Sequence, residues 1–360
     1  MRMIRSGKFD GKKILLIDKD QKSKNDRTWC FWETQPGFFE DIVYKKWDTI
    51  SFLSDDFSTT TNINPYQYKM IRGIDFYNYC FDEIKKHPGI EILNGSLNVE
   101  NFQKERVTIN VDGKTLHFDS TTVFNSIINL GNKQPGEIKL LQHFKGWVVE
   151  SAKPVFDPDI ASIMDFRVHQ GHGTTFAYVL PFSETKALVE YTLFTKTLLE
   201  QQQYDVELKK YLTEILKLDN YTVSDTEFGV IPMTNRKFEF QNNGVFNIGT
   251  AGGQTKTSSG YTFQFIQKQS QQIADCLANG EPLFTIFDPP KRFRFYDNTL
   301  LHILYNNKLQ GKKIFTSLFE KNKPQDVLRF LDNETSLKEE LKIISSLPTW
   351  PFLKAAIKQF

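Results

Sequence analysis

Between Ile163 and Phe194 the sequence alternates over three successive stretches, near 163–168, 174–181 and 187–194, broken only by His169-Gln170-Gly171-His172-Gly173 and Ser183-Glu184-Thr185-Lys186. Period-two alternation interrupted by short polar or glycine-rich breaks predicts antiparallel strands joined by turns. A meander therefore occupies the middle of the chain. The flanks read differently. Ile14-Leu15-Leu16-Ile17 is a continuous apolar run ending in Asp18, as in a buried parallel strand whose last residue emerges at the carboxyl edge of a sheet. Gly244 to Gly249 predicts another strand, which empties into a Gly/Ser/Thr-rich loop reaching Gly260. Parallel-type strands on both sides of a meander predict an α/β nucleotide domain interrupted by an antiparallel-sheet domain.

Smaller signals fill in the rest. Ile74 to Ile84 predicts a helix, and Val107 to Phe118 a hairpin about Asp112-Gly113, with Val123-Phe124 and Ile127-Ile128 as a return strand. Helices are expected near 204–217 and from about Tyr261 to Leu277, the latter closed by Asn279-Gly280. The last 75 residues read as helical, with Pro324 at one helix start and a capping box at Ser336-Leu337-Lys338-Glu339. The expected division is 1–60, 105–135 and 225–282 in the nucleotide domain, 61–104 and 136–224 in the second domain, and 283–360 in a helical region.

Charge and cysteine usage narrow the partners. With 45 Lys+Arg against 43 Asp+Glu, the net charge of +2 is too small for a polyanion-binding field, so nucleic acid is not the expected partner. Cys30, Cys80 and Cys276 are far apart with no C-x-x-C spacing, which fits neither a disulfide framework nor a zinc site and points to a reducing compartment. No run approaches the roughly 18 apolar residues of a spanning helix, and Met1 to Gly7 does not resemble a signal peptide. The aromatic content, 14% with 32 Phe, suits a large apolar cavity or a Phe-rich core.

Glu190 is the most informative single residue. In Ala187-Leu188-Val189-Glu190-Tyr191-Thr192-Leu193-Phe194 the period of two places it on one face with Leu188, Thr192 and Phe194. A carboxylate on a mostly apolar face loses hydration and its pKa rises, which suits a general acid; the bland alternative is an edge-strand glutamate pointing at water. Asp18 stands where dinucleotide folds place the acid that bonds a ribose hydroxyl, about 20 residues after a glycine turn. Counting back that far leaves the sequence, so no G-x-G-x-x-G precedes it here. Gly249-Thr250-Ala251-Gly252-Gly253 and Gly260 leave bare backbone that either approaches a ring or phosphate or packs closely on the chain itself. Asp165 and Arg167 fall on one strand face as a structural ion pair, and His143, His169 and His172 read as packing or turn residues rather than metal ligands.

Asn25-Asp26-Arg27-Thr28-Trp29-Cys30-Phe31-Trp32-Glu33 resembles the bacterial lycopene cyclases, flavoproteins of the geranylgeranyl-reductase-like superfamily. The resemblance continues through 68–76, 142–147, 164–167, 176–182, 188–192, 229–233 and 249–261, nearly the whole chain. It implies an FAD-binding Rossmann-like domain, here without its first strand and glycine turn, and hence weak FAD binding by these residues alone. It also implies that Glu190 falls on the family's essential glutamate; that Asp18, Arg27, Gly249, Thr250, Ala251, Gly252, Gly253 and Gly260 contact FAD; and that Trp29, Trp32, Tyr178 and Tyr191 line the substrate pocket. Tyr191 stands where the family usually has a second acid, and Thr257 and Ser259 where Pro and Thr are usual. The implied activity is a redox-neutral, acid-initiated cyclisation of lycopene end groups to β-ionone rings, with reduced FAD and NAD(P)H as reductant and no metal. The implied location is cytoplasmic, peripheral to the inner membrane that holds lycopene, with other carotenoid enzymes as neighbours. The Leu300 to Phe319 stretch reads as either an interfacial or an amphipathic core helix. A flavin-dependent prenyl-chain reductase or monooxygenase, and a non-catalytic carotenoid-binding homologue, are the alternative functions.

Overall fold

A computed structural model of the chain describes residues 1–357 apart from 104, 105, 120, 284, 285 and 287–289, with backbone alone for 98–103 and 106. The meander is the middle of a seven-stranded sheet. In spatial order its strands are Tyr221–Thr234, Lys139–Ser151, Lys186–Thr195, Thr174–Pro181, Ile160–Asp165, Thr49–Leu53 and Ser58–Asn62. All neighbours are antiparallel except Ile160–Asp165 with Thr49–Leu53. Residues 49–60, expected with the nucleotide domain, thus lie in the two strands that complete this sheet and the turn between them. The expected boundary at 104/105 lies outside the described residues.

Alternation decides what each face of this sheet meets. Ala187, Val189, Tyr191 and Leu193 face a core with Tyr204, Leu208, Tyr211 and Leu212 from the helix Gln201–Lys210 and the turn of π-helix that follows it. Leu188 and Phe194, on the other face, join Phe176, Leu180, Trp32, Trp47 and Tyr68 and the C-terminal helices in the largest core. A three-stranded sheet, Thr28–Glu33, Gln67–Arg72 and Lys45–Trp47, lies over this second face. Between Val148 and Val149 the pairing of Lys139–Ser151 with Tyr221–Thr234 shifts: Val148 faces Asp225 while Val149 faces Val223. Ser224 is the extra residue of a β-bulge.

The nucleotide-type strands form two parallel pairs. Ile14–Asp18 pairs with Ile90–Asn94, and Val123–Asn125 with Val245–Asn247. No sheet hydrogen bonds join the two pairs among the described residues, and Leu16 and Ile92 are exposed. Ile127-Ile128 does not continue as a strand. The Asp112-Gly113 hairpin forms as expected, both residues having positive φ, and Leu97–Gln103 adds a third strand to it.

Helices Lys291–Tyr305, Gly311–Lys321, Pro324–Leu331, Leu337–Ser346 and Thr349–Ile357 close the chain, with Pro324 in the first turn of its helix and the capping box present at Ser336 and Glu339. The Leu300 to Phe319 segment is a core element. Leu301, Ile303, Leu304, Ile314, Phe315, Leu318 and Phe319 are all buried against the large core, which leaves no apolar face for a lipid surface.

Candidate active site

Four adjacent strands build one row across the seven-stranded sheet. Tyr178 pairs with Glu190, Glu190 with Gly146, and Gly146 with Glu227. Residues directly opposite in an antiparallel ladder point to the same face, so both glutamates project toward the overlying three-stranded sheet. Their Cα atoms are two strand spacings apart, about 10 Å. Extended side chains bridge that span only if the intervening strand presents no side chain, and Gly146 presents none. A Cβ at Gly146 would lie 3.0 Å from Glu227 Cγ. The two carboxyls come together across it, close enough for a protonated one to share its proton with the other.

Each carboxyl has one further donor. Thr192 donates to Glu190 Oε1 at 2.6 Å, and Thr28 donates to Glu227 Oε2 at 2.8 Å. Glu190 is half-buried and Glu227 buried. Loss of hydration, then the adjacent Glu227 charge, raises the Glu190 carboxyl well above the usual carboxylate range. Burial also raises Glu227, against which the hydrogen bonds from Thr28 and Glu190 work. Two like charges this close do not both ionise near neutrality, so the pair retains a proton, and Glu190 is the more strongly raised of the two.

The wall facing the pair is aromatic. Thr28, Cys30 and Trp32 alternate along Thr28–Glu33 and point toward it, and Tyr68 and Tyr261 complete the enclosure with Tyr178. The hydroxyls of Tyr261, Tyr68 and Tyr178 gather together, and the Tyr261 ring meets Trp32 edge-on at 4.6 Å. Burial pushes the Tyr261 hydroxyl up to about 12, raises those of Tyr68 and Tyr178 well above the usual phenol range, and raises the Cys30 thiol, so all four stay neutral. Near Trp32, the Asp332 carboxyl is raised by burial to about 7. A cleft of about 540 Å³ opens beside Glu227, lined by Lys24, Asn25, Asp26, Asp225, Thr226 and Phe228.

Two of the four expected pocket residues are elsewhere. Trp29 is on the opposite face of its strand from Cys30, edge-on to Phe76 at 5.0 Å and next to Phe263. Tyr191, adjacent to Glu190 in sequence, for the same reason points into the helix-covered core and is fully buried there. Trp32 and Tyr178 are at the site.

The expected cofactor contacts fall into two groups. Asp18 ends its strand, caps the turn at Asp20 and pairs with Lys22 at 3.4 Å; Lys22 lies over the ring of Tyr77, whose hydroxyl donates to Asp26. Arg27 shares that Asp26, at 2.6 Å, and is half exposed. Asp18 and Arg27 therefore belong to one charged cluster at the edge of the cleft. In the other group, Gly249, Thr250, Ala251 and Gly252 form a 3₁₀ turn ended by left-handed Gly253. A Cβ at Gly252 would meet the Asn247 carbonyl oxygen at 2.2 Å, and one at Gly260 would meet Gln142 Oε1 at 1.9 Å, so the chain itself demands these two glycines. Beyond them the loop is pinned from beneath: buried Lys256 bonds Asp297 and Asn333, and Ser258 donates to Asp297. This fixes Gly260 and thereby Tyr261.

Asp165 is fully buried with Arg167 at 2.7 Å and the Tyr211 hydroxyl at 2.7 Å, a structural ion pair as expected. His143 is buried between Thr195 and Tyr204, and burial lowers its pKa to about 4. Glu227 was not apparent from sequence. Its strand reads Tyr-Thr-Val-Ser-Asp-Thr-Glu-Phe, which carries no alternation to set one acid apart, although it directly precedes the 229–233 segment that carries the resemblance.

The fold is that of flavin-dependent enzymes. It superposes on the flavin-dependent brominase Bmp2 with a TM-score of 0.61 at 12% identity, covering 92% of this chain and 90% of that one. A flavoprotein/dehydrogenase from Cytophaga hutchinsonii gives 0.60 at 11% identity, with 99% and 95% covered. A geranylgeranyl bacteriochlorophyll reductase-like protein from Thermoplasma acidophilum gives 0.57 at 11%, with 100% and 93% covered. No curated protein matches the sequence. Residues 5–357 match the profile of the family described as lycopene cyclase protein, and the chain belongs to that family.

Proposed function

We propose that the protein is a lycopene β-cyclase that closes the end groups of lycopene to β-ionone rings, with Glu190 as the acid. The observation that carries this reading is the Glu190 carboxyl held against an aromatic wall and beside a second carboxyl, that of Glu227. Glu190 gives its proton to the terminal isoprene double bond; the resulting tertiary cation is captured by the internal alkene, and loss of a ring proton leaves the product. The hydroxyls of Tyr68, Tyr178 and Tyr261 stay neutral, so they offer dipoles but no competing base. Faces of Tyr178 and Trp32 each contribute about 0.5–2 kcal/mol of cation–π attraction to a desolvated cation.

FAD, reduced by NAD(P)H, is the cofactor of this reading, and it fits one end of the site. Ser259 Oγ and Gln142 Oε1 are buried with no hydrogen-bond partner among the described residues, at the end of the small-residue loop, and Arg27 presents a half-exposed guanidinium nearby in sequence to Thr28. These residues, with Gly249 and Gly253, would hold the cofactor; a pyrophosphate cradle is not found among the described residues. When bound, the reduced anionic flavin supplies negative charge in a water-poor site.

Lycopene partitions into bilayers, and the surface proposed to meet them is the last two helices. No helix among the described residues is long and apolar enough to cross a membrane. Leu337 and Leu341, then Trp350, Leu353 and Ile357, recur at helical spacing and are exposed, Trp350 at 74%. Lys338, Lys342 and Lys354 are exposed among them, the pairing that favours an anionic lipid surface.

The test is expression in cells that accumulate lycopene, with Glu190→Gln alongside. γ- or β-carotene is expected from the wild type, and a loss of at least about 100-fold from the variant. Unchanged lycopene with folded, FAD-supplied wild-type protein, or NAD(P)H consumed in proportion to a reduced or hydroxylated product, would overturn the reading.

A further inference from the structure

Glu227 has more to do than lower the acidity of its neighbour. It is the carboxyl of the pair beside the cleft, and its Oε1 is buried with no hydrogen-bond partner among the described residues. Thr28 fixes Oε2 and so aims Oε1 back across Gly146. No cation pairs with it among the described residues: the charged groups around it are Asp225 on its own strand, Asp26 ahead of Thr28 with Arg27 turned to it, and Lys24, which lines the same cleft without an ion pair to Glu227. From the other packed elements Glu190, Thr28, Cys30, Tyr68, Tyr178 and Tyr261 face the pair, and none of these bears a positive charge. Lys145, next to Gly146, points to the opposite face and pairs with Asp205 at 2.6 Å. A buried, uncompensated carboxylate is costly to maintain, and a fold that keeps one has a use for a base.

We infer that Glu227 is the second catalytic carboxylate of the proposed cyclisation, the base that takes the ring proton and hands it back to Glu190. The inference rests on the cyclase reading. The step balances without an external reagent. The Glu190 O–H bond breaks and its proton forms a C–H bond with the terminal alkene pair. The cation takes the second alkene's pair to make the ring C–C bond. A ring C–H bond then breaks, its electron pair becoming the ring double bond and its proton passing to Glu227 Oε1. The hydrogen bond between the carboxyls carries a proton from Glu227 to Glu190, which restores the starting state. No electron is gained or lost. The geometry suits this exchange. In forming a β-ring, the carbon that accepts the proton and the carbon that loses one are both bonded to the same quaternary carbon, hence about 2.5 Å apart, the span of two mutually hydrogen-bonded carboxyls.

Three variants test it: Glu227→Gln, Glu190→Gln and Thr28→Val. The wild-type rate on lycopene, with FAD and reductant supplied, is expected to be bell-shaped in pH, because only the singly protonated pair has both an acid and a base. Glu227→Gln is expected to lower kcat at least about 100-fold with KM little changed, to abolish the acid limb, and to move the basic limb to lower pH, since Glu190 then has no charged neighbour. Thr28→Val keeps both carboxyls and should move the acid limb to higher pH, because Glu227 loses a donor to its ionised form. Infrared spectra of the purified proteins supply a readout independent of turnover: beside the stretch of Asp332, which titrates about 7, a second protonated-carboxyl stretch should be present in wild type, lost in Glu190→Gln by comparison with wild type, and titrate away at lower pH in Glu227→Gln. Retention of the acid limb and of wild-type kcat by Glu227→Gln, or an infrared titration that the substitution does not move, overturns the inference while leaving the cyclase reading intact. A wild-type protein that cyclises nothing overturns the cyclase reading itself.

Discussion

Gly146→Ala is the smallest change that asks whether the two carboxyls must touch. The new Cβ would lie 3.0 Å from Glu227 Cγ and from Leu188 Cδ1, and 3.4 Å from Glu227 Oε1. Carbon atoms in contact settle about 3.5–4.0 Å apart, so each neighbour must withdraw by a few tenths of an ångström. Leu188 is locked in the large core and Glu227 is held at Oε2 by Thr28. Overpacking of this kind costs about 1–3 kcal/mol. Replacing glycine in a strand interior returns roughly 0.5–1 kcal/mol, so the net loss of stability is at most about 2.5 kcal/mol and the protein still folds. The bond between the carboxyls is the larger casualty. A hydrogen bond to a charged group contributes about 1.5–3 kcal/mol, and if it is lost from the reacting state the rate falls roughly 10- to 150-fold. Initial rates of cyclised product, measured at matched folded concentration and accompanied by a thermal melt, read both effects. A folded variant within about twofold of the wild-type rate would refute the requirement for contact.

Two other expectations concern stability and the lipid surface. Asp332 has its carboxyl raised from 3.8 to about 7 by burial, so between those values the folded state binds a proton that the unfolded state has lost. Stability is therefore full below about 4 and declines as pH rises toward 7, by as much as about 4 kcal/mol. Asp332→Asn should flatten that decline in a series of denaturant titrations, and an unchanged slope would contradict it. Leu341→Glu combined with Trp350→Glu should abolish cosedimentation with anionic vesicles while leaving the melt unchanged, because both side chains are solvent-exposed, at 65% and 74%. Binding undiminished by the double variant would move the contact elsewhere.

What the sequence disclosed and what it withheld follow from the same periodicity. Alternation through 187–194 placed Glu190 with Leu188, Thr192 and Phe194, and the sheet keeps that face. The same rule, applied to Trp29 and to Tyr191, puts them on the opposite faces of their strands from Cys30 and Glu190, and expecting these two in one pocket with Trp32 and Tyr178 overlooked it. The meander was legible, but the strands that extend it were not: Thr49–Leu53 and Ser58–Asn62 join it only through a parallel contact made across the chain. Helices from 291 onward followed from caps and apolar spacing, yet which of them faces water depends on what they pack upon. Leu300 to Phe319 became core, and the exposed apolar stripe fell to Leu337 and its successors. Glu227 was hidden for a third reason. Nothing in Tyr221 to Phe228 distinguishes Asp225 from Glu227, and the choice between them is made by pairing with Gly146.

The bulge frees that pairing from the length of the strand before it. Val149 faces Val223 and Val148 faces Asp225, so Ser224 is taken up outside the ladder. Deleting Ser224 while the upstream pairing holds would leave Asp225 opposite Val148 and Glu227 opposite Gly146, beside Glu190 as before. Deleting Thr226 instead would put Glu227 opposite Trp147 and turn it to the helix-covered face of the sheet. A family built on this sheet can thus absorb a single-codon change at the bulge with its second acid kept, and lose that acid by the same change two residues further on. Homologues aligned by residue identity alone would show the two events as nearly the same one-position gap.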